Sequence, residues 1–239
     1  MHMKTMQFTK RFFSFVLFFS LLSAIALAQS SRSVSVKNFD GISVGSGIDL
    51  YLTQGAEESL TIKAGKNVID NVVVEQKGGD INIRYKTKIN WSILMDEQIK
   101  VYVSYKNLER LAASGGSDVY TQNPMKVNVL DLSASGGADV KLTLNCKNLS
   151  LSASGGADIY LKGNGENLSL SASGGADINA FGYVVNYAKV AVSGGADADI
   201  YVNKGLDAAA SGGGDVNYKG TAVLKRTNSS KSGDVTHVK

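Results

Sequence analysis

A five-residue sequence, Ser-Gly-Gly-Ala-Asp, returns about every 19 residues through the second half of this chain. A fixed period of this size is typical of a solenoid, in which each repeat forms one coil stacked on the previous one. In two copies Ser117 and Gly214 stand in place of alanine. The six full copies are Ser114–Asp118, Ser135–Asp139, Ser154–Asp158, Ser173–Asp177, Ser193–Asp197 and Ser211–Asp215.

Apolar and polar residues alternate on both sides of the glycine pair. Around the third copy, serine separates Leu151 from Ala153, and tyrosine separates Ile159 from Leu161. This period of two predicts half-buried strands that meet at a Gly-Gly bend, where glycine supplies positive φ angles. At about 3.3 Å per residue a coil has a contour of about 63 Å, which fits three short strands around a thin core. We therefore predict an all-β parallel β-helix.

The N-terminal part carries the repeat only in degenerate form. We assign residues 29–110 to an all-β cap and residues 111–239 to the regular repeats. Within the cap, Ile42–Leu52 resembles a degenerate copy with Asp49 at the position of the repeat's aspartate. A second candidate copy contains Asp80, which lies 38 residues, or two periods, before Asp118. Residues 87–97 are predicted to be a loop insertion.

Residues 1–28 have the pattern of a secretory signal peptide. Lys4, Lys10 and Arg11 give a basic start, residues 12–27 form an almost unbroken apolar run, and Ala28 ends a small-residue cleavage site. A membrane anchor is the alternative, but a run of 16 residues falls short of the roughly 20 needed to span a bilayer. We predict an exported protein in the periplasm, on the outer cell surface or in the medium, with no membrane span after cleavage.

The composition excludes several classes of site. Loss of three basic residues with the signal lowers the net charge from +4 to about +1, which leaves no electrostatic basis for binding nucleic acid. Cys146 is the only cysteine, so an intrachain disulfide is impossible. It is expected to be a buried or half-buried packing residue, with an intermolecular disulfide as the alternative. After the signal only one histidine, His237, remains, which rules out a His-based triad and a multi-His metal site.

Two segments resemble a known bacterial family. They are the stretch Phe39-Asp-Gly-Ile-Ser-Val-Gly-Ser-Gly-Ile-Asp-Leu-Tyr-Leu-Thr-Gln54 and the serial Ser-Gly-Gly-Ala-Asp copies. The chain is similar over about residues 33–237 to the family described as putative auto-transporter adhesin, head GIN domain (domain of unknown function 2807). The resemblance implies a right-handed parallel β-helix in an exported protein of Gram-negative bacteria, and it implies no catalytic residues.

The aspartates of the repeats form the first candidate site. If they stack in register, neighbouring carboxylates lie about 5 Å apart and repel by roughly 0.8 kcal/mol in water. Bound calcium would relieve this repulsion, and so would hydrogen bonds from main-chain N–H groups at the bend. Calcium is thus a weak cofactor candidate, and no other cofactor is predicted. The candidate residues are Asp118, Asp139, Asp158, Asp177, Asp197 and Asp215.

An outward position two residues beyond each aspartate forms the second candidate site. It repeatedly holds tyrosine, lysine or asparagine, which could contact sugar rings or a partner protein. The alternative is a cross-strand ladder that stabilises the sheet. The candidates are Tyr51, Tyr120, Lys141, Tyr160, Asn179 and Asn217, with Tyr201 near the equivalent place in a slightly longer coil.

These patterns favour a non-enzymatic binding module over a catalyst. The serine rows lack an activating base, and the short coils offer little room for the groove of a polysaccharide enzyme. We predict an adhesin-like or cell-envelope module with a glycan or protein ligand. A polysaccharide-acting enzyme that uses aspartate carboxylates, or a purely structural envelope protein, are the alternatives. Open strand edges at the end coils predict a monomer or a weak end-to-end dimer.

Overall fold

A computed structural model describes residues 30–86, 98–229 and 232–239 of the chain. Its 17 strands form one sheet, which winds into a β-solenoid of about six turns with about 19 residues per coil. The predicted all-β solenoid is thereby confirmed. The predicted signal peptide at residues 1–28 and the predicted insertion at residues 87–97 lie outside the described residues. In the described part of the chain, no helix is long and apolar enough to span a membrane.

The first nine strands and one short 3-10 turn make up the irregular N-terminal part. They are β1 (Ser30–Val34), β2 (Gly41–Val44), β3 (Ile48–Gln54), β4 (Ser59–Ala64), the 3-10 turn Ile69–Asn71, β5 (Val72–Lys77), β6 (Asp80–Tyr85), β7 (Ile99–Tyr105), β8 (Arg110–Ala113) and β9 (Asp118–Thr121). The regular part consists of β10 (Met125–Ala134), β11 (Asp139–Ala153), β12 (Asp158–Ala172), β13 (Asp177–Val192), β14 (Asp197–Ala210), β15 (Asp215–Lys219), β16 (Val223–Ser229) and β17 (Val235–His237).

Strands β11 to β14 each run through almost a whole coil. Each is 14 to 16 residues long and begins at the repeat's aspartate. The expected three short strands are therefore one bent strand, because the parallel pairing between coils continues through the bends. In β11 the bend falls at Lys147 and Asn148, two successive side chains that both face outward.

The core is a set of stacked apolar columns, as the alternation predicts. Leu132 pairs with Leu151, and Ala134 with Ala153, one coil apart and with at most 4% of each side chain exposed. Cys146 is buried in the same core, as expected. Small alanines next to the corner allow opposite walls of the coil to approach closely, since each contributes only a methyl group.

The corners form a ladder of their own. The first glycine of the pair has a positive φ in successive coils, +73° at Gly155 and +77° at Gly174. The second glycine donates its N–H to the first glycine of the preceding coil, as from Gly175 to Gly155 at 2.7 Å. A side chain on Gly174 would clash with the Gly155 carbonyl, so the close stacking of corners requires glycine there.

The N-terminal coils stack in an order that differs from their order along the chain. Strand β2 lies between β6 and β8, and β3 lies between β7 and β9, all in parallel. The coil formed by residues 41–54 thus lies between two coils that are formed by later parts of the chain. Leu50 pairs with Val119, which places Asp49 beside Asp118. The degenerate copy at Ile42–Leu52 is therefore a true coil of the solenoid.

The second expected copy is a coil as well, but its phase was predicted wrongly. Asp80 pairs with Gly41, and Gly41 pairs with Arg110, so Asp80 lies on the wall before the corner. In that coil Lys100 pairs with Asp49 and occupies the position of the repeat's aspartate. Counting two periods failed because the chain leaves the stack and returns out of order, so that spacing in sequence no longer counts stacked coils.

The two ends of the solenoid are finished differently. At the N-terminal end, β5 pairs antiparallel with β6, and β4 pairs antiparallel with both β7 and β1. At the other end, β16 adds to β14 and β17 adds to β15. Within the described ranges no further strand covers these last two. The weak end-to-end dimer stays a prediction.

Candidate functional site

The repeat's aspartates stand in one column along the solenoid. Each pairs in register with the aspartate of the next coil, and Asp49 of the inserted coil joins the column, as its degenerate copy predicts. The spacing between paired parallel strands puts neighbouring members about 4.8 Å apart along the axis. The members in stacking order are Asp49, Asp118, Asp139, Asp158, Asp177, Asp197 and Asp215, and the register of β15 with β17 adds Asp234.

Main-chain hydrogen bonds to the carboxylates are made in the last coils. The N–H of Asp215 donates to Oδ1 of Asp197, and the N–H of Asp234 donates to Oδ1 of Asp215, both at 3.0 Å. In the preceding coils the equivalent N–H donates to a carbonyl instead, as from Asp158 to Ala138. The carboxylates therefore replace the carbonyl as acceptor where the regular corner ends.

Like charges shape the electrostatics of the middle of the column. Burial raises the pKa of Asp158, the neighbouring Asp139 and Asp177 raise it further, and Lys141 opposes them. Burial also raises the pKa of Asp49, to which Asp118 adds and which Lys100 opposes. The ionised column is thus under mutual repulsion, and a lysine lies near each of these two members.

The column does not converge on a metal-binding cage. Across residues 30–86, 98–229 and 232–239, no group of three or more His, Cys, Asp or Glu side chains could hold one metal ion. Calcium takes six to eight oxygen ligands, and a row of one carboxylate per coil brings two of them together at a time. Calcium therefore stays the weak candidate that it was in the sequence, and titration is the test of it.

A ladder of tyrosine and lysine side chains runs beside the aspartates. The Tyr51 ring stacks on Tyr102 at 4.9 Å and on Tyr120 at 5.3 Å between centroids. The Lys141 ammonium then lies 5.7 Å from the Tyr120 ring and 5.5 Å from the Tyr160 ring. The column in stacking order is Tyr102, Tyr51, Tyr120, Lys141, Tyr160, Asn179, Asp199 and Asn217, and together with the aspartate column it is called the ladder face.

Stacking decides which parts of the rings face solvent. The faces of Tyr51 are covered by its two neighbours, so that this ring presents its edge and hydroxyl outward. Tyr160 is 44% exposed and is followed by Asn179 rather than by another ring. The Tyr120 hydroxyl donates to Oδ2 of Asp118 at 3.1 Å. Burial, with this hydrogen bond and the charge of Asp118, raises the pKa of Tyr120 to about 12.

Tyr201 does not belong to this column, so its expected equivalence was wrong. Asn179 pairs with Asp199, whereas Tyr201 pairs with Val184. Between those two pairings residues 181–183 of β13 have no partner in β14, although Gly182 and Tyr183 remain paired with β12. The extra length lies after the ladder position, so counting two residues from Asp197 gives the right member, Asp199. Its carboxylate accepts a hydrogen bond from Nδ2 of Asn217 at 3.1 Å.

Comparison with known proteins places the chain in a family. The model of the family described as putative auto-transporter adhesin, head GIN domain, matches residues 38–222. The chain belongs to this family. The expected resemblance is thereby confirmed, and the adhesin description of the family suggests an exported or surface protein. None of the curated proteins compared with the chain matches it.

Several solved structures share the head GIN fold. A putative adhesin from Bacteroides fragilis superposes with a TM-score of 0.81 at 23% identity, covering 88% of this chain and 97% of that one. A putative lipid binding protein from Parabacteroides distasonis gives 0.69 at 20%, with 88% and 97% covered. A putative adhesin from Parabacteroides merdae gives 0.65 at 22%, with 88% and 96% covered. At these identities the likeness establishes the fold.

This member of the head GIN family has a second outward column that the sequence reasoning missed. It stands seven residues beyond the ladder position, at Asn148 where the ladder has Lys141. Its members, Val129, Asn148, Asn167, Tyr187, Gly205 and Val223, pair in register from coil to coil and are called the Tyr187 column. The one signal in the sequence was a break in the alternation of β10, where two apolar residues, Val129 and Leu130, follow each other.

Proposed function

We propose that this protein is an exported, non-enzymatic binding module of the adhesin type, and that the ladder face is its ligand surface. The observation that carries the proposal is the in-register column of outward Tyr, Lys and Asn side chains beside the aspartates. The coil spacing repeats these groups about every 4.8 Å along the axis. The ligand is a glycan or a protein of the cell envelope.

The chemistry of the ladder face suits a ligand rich in hydroxyl groups. A shallow groove on it is lined by Tyr120, Lys141, Tyr160, Lys162 and Asn179, among others. Phenol, ammonium and amide groups donate hydrogen bonds, and the neighbouring carboxylates accept them. Continuous strands fix the main chain beneath these side chains, so little conformational entropy is lost on binding.

The rival function is cleavage of a polysaccharide by two carboxylates. Such enzymes keep one carboxyl group protonated and the other ionised across a bound sugar. The raised pKa of Asp158 is the observation in its favour. Against it, the aspartates are repeated in equivalent positions on a regular wall, and the family description suggests a non-enzymatic role.

One experiment separates the two functions. The purified chain is applied to a glycan array and to soluble polysaccharides, and both retention and release of reducing ends are measured. Retention without release supports the binding module. Release that is abolished by Asp158→Asn would make the protein an enzyme. The absence of retention on every glycan and on envelope-protein extracts overturns the proposal.

The neighbour named a lipid binding protein supplies a further outcome. Its similarity at 20% identity shows a shared fold and does not show a shared ligand. Vesicles of phosphatidylglycerol and phosphatidylcholine are therefore included beside the glycans. Retention by vesicles alone would contradict a glycan or protein ligand.

A further inference from the structure

Three of the four large hydrophobic side chains that are exposed in the described residues lie in the Tyr187 column. Val129 is 49% exposed, Tyr187 is 40% exposed and Val223 is 66% exposed. The fourth is Tyr160 of the ladder face. Five coil spacings separate Val129 from Val223, a length of about 24 Å parallel to the solenoid axis. Val129 and Tyr187 line one groove along this row, and exposed apolar residues that share a groove, unlike scattered ones, mark a contact surface.

Polar groups lie between the apolar members of the column. Nδ2 of Asn167 donates to Oδ1 of Asn148 at 2.8 Å. In the described part of the chain, no other hydrogen bond to either side-chain amide is found. An N–H donor on Asn148 and an oxygen acceptor on Asn167 are thus left for a ligand, and the two amides are one coil apart. Adjacent sugar hydroxyls, which both donate and accept, suit such a pair.

Positive charge surrounds the aromatic member. The ammonium groups of Lys204 and Lys225 lie 5.6 Å and 5.7 Å from the centroid of the Tyr187 ring. Gly205 makes this arrangement possible, because a Cβ there would lie 3.2 Å from Cδ1 of Tyr187 and 3.1 Å from Cε of Lys225. Lys189 lies beside Tyr187 and pairs in register with Asp207 of the next coil. Three lysines against one aspartate favour an acidic ligand.

We propose that the Tyr187 column binds an acidic polysaccharide that runs along the solenoid axis. Its sugar rings contact Val129 and Tyr187, its hydroxyls hydrogen-bond to the amides of Asn148 and Asn167, and its acidic groups lie near the lysines around Tyr187. This site is separate from the ladder face, and it stands or falls independently of the function proposed there.

Two other occupants fit the column less well. A second copy of the chain needs about 800 Å² of surface from each partner, and a single row of side chains offers much less. A lipid acyl chain along the row would cover the two amides with hydrocarbon, which costs free energy for each unpaired polar group. A polysaccharide satisfies both the apolar and the amide members.

Isothermal titration calorimetry with polygalacturonate, alginate and heparin tests the site, with dextran as the neutral comparison. We expect at least one acidic polymer to bind, dextran not to bind, and added salt to weaken the binding. Tyr187→Ala is expected to weaken it by about tenfold or more, as for a central aromatic contact. Tyr201→Ala is the control, since it removes a partly exposed tyrosine that belongs to neither column. Tyr160→Ala is measured beside it to report on the ladder face.

Each other result overturns the proposal. Binding that is lost in Tyr160→Ala and kept in Tyr187→Ala would move the site to the ladder face and leave the proposed function intact. Equal binding by wild type and Tyr187→Ala, equal binding of dextran, or no binding of the three acidic polymers would remove the site. Light scattering that shows a dimer disrupted by Tyr187→Ala would assign the column to a second copy, and retention by phosphatidylglycerol vesicles alone would assign it to lipid.

Discussion

The guanidinium of Arg110 reaches past Gly41 to the carboxylate of Asp80, with 3.0 Å between Nε and Oδ1. Its Nη2 atom also donates to Oδ1 of Asp40 at 2.6 Å. Gly41 pairs with both Asp80 and Arg110, so the ion pair spans the inserted coil. A side chain on Gly41 would overlap the Asp80 carboxylate, which explains the glycine at this position. Arg110 therefore links three neighbouring coils whose order along the chain differs from their order in the stack.

Arg110→Ala tests this tie. We expect the free energy of unfolding to fall by about 1 kcal/mol, because the groups are largely exposed and such pairs contribute little individually. Urea denaturation measures the change, and a double-mutant cycle with Asp80→Ala isolates the pair. Arg84→Ala is the control, since its partner Glu75 lies within one antiparallel hairpin. A larger loss in Arg84→Ala than in Arg110→Ala would contradict the assignment.

The corner glycines provide a matched pair of substitutions. Gly174→Ala places a Cβ 2.9 Å from the Gly155 carbonyl oxygen at a φ of +77°. We expect it to lower the free energy of unfolding by roughly 2–4 kcal/mol, from strain and from a widened corner. Gly175→Ala has its nearest contact at 3.8 Å and is expected to change stability by less than about 1 kcal/mol. Thermal melting of both variants decides, and equal losses would show that the corner does not depend on the first glycine.

Removal of one charge from the aspartate column is predicted to raise the free energy of unfolding in a pH-dependent way. The folded-state pKa of Asp158 is raised above its ordinary value of 3.8, so its ionised form destabilises the fold at neutral pH. This destabilisation disappears as the pH falls through the raised pKa towards 3.8. Asp158→Asn should therefore be more stable than wild type at pH 7, on the order of 0.5 kcal/mol after solvent screening, and equally stable near pH 3. If Asp158→Asn were less stable than wild type at pH 7, the ionised carboxylate of Asp158 would have to stabilise the fold, which contradicts this prediction.

Calcium is the ligand that such a stabilising carboxylate would suggest. We expect titration of calcium into the protein to give no saturable heat and no rise in melting temperature, because no described group of three carboxylates converges. Saturable binding with a melting temperature that EDTA lowers would contradict this expectation and make the column a metal site. Asp158→Asn serves as the control, since it removes a central member.

The sequence periodicity predicted those features of the fold that repeat from coil to coil. The alternation around Leu151 and the glycine pair predicted the coil, its buried columns and the register of the aspartates. It could not predict that residues 41–54 lie between two coils formed by later parts of the chain. The spacing of the repeats along the sequence does not show which distant segments pair. Asp80 was misplaced for that reason.

The two outward columns differ in how far the sequence alone could predict them. The ladder was predictable from a fixed offset to each aspartate, and the prediction failed only where Tyr201 was chosen instead of Asp199, the residue at that offset. The Tyr187 column has no repeating residue type. Val129 and Tyr187 read as ordinary strand residues, and their common row becomes visible only once the bends inside the strands are known.

The most direct test of the ladder face is the affinity of wild type and of the Lys141→Ala/Tyr160→Ala double variant for the strongest ligand found on the glycan array. Lys77→Ala/Tyr201→Ala is the matched control, because it removes the same residue types at positions outside both the ladder face and the Tyr187 column. If the ladder face is the ligand surface, the double variant binds at least about tenfold more weakly and the control binds like wild type. Unchanged affinity in the ladder variant would contradict the ladder face as the site of binding.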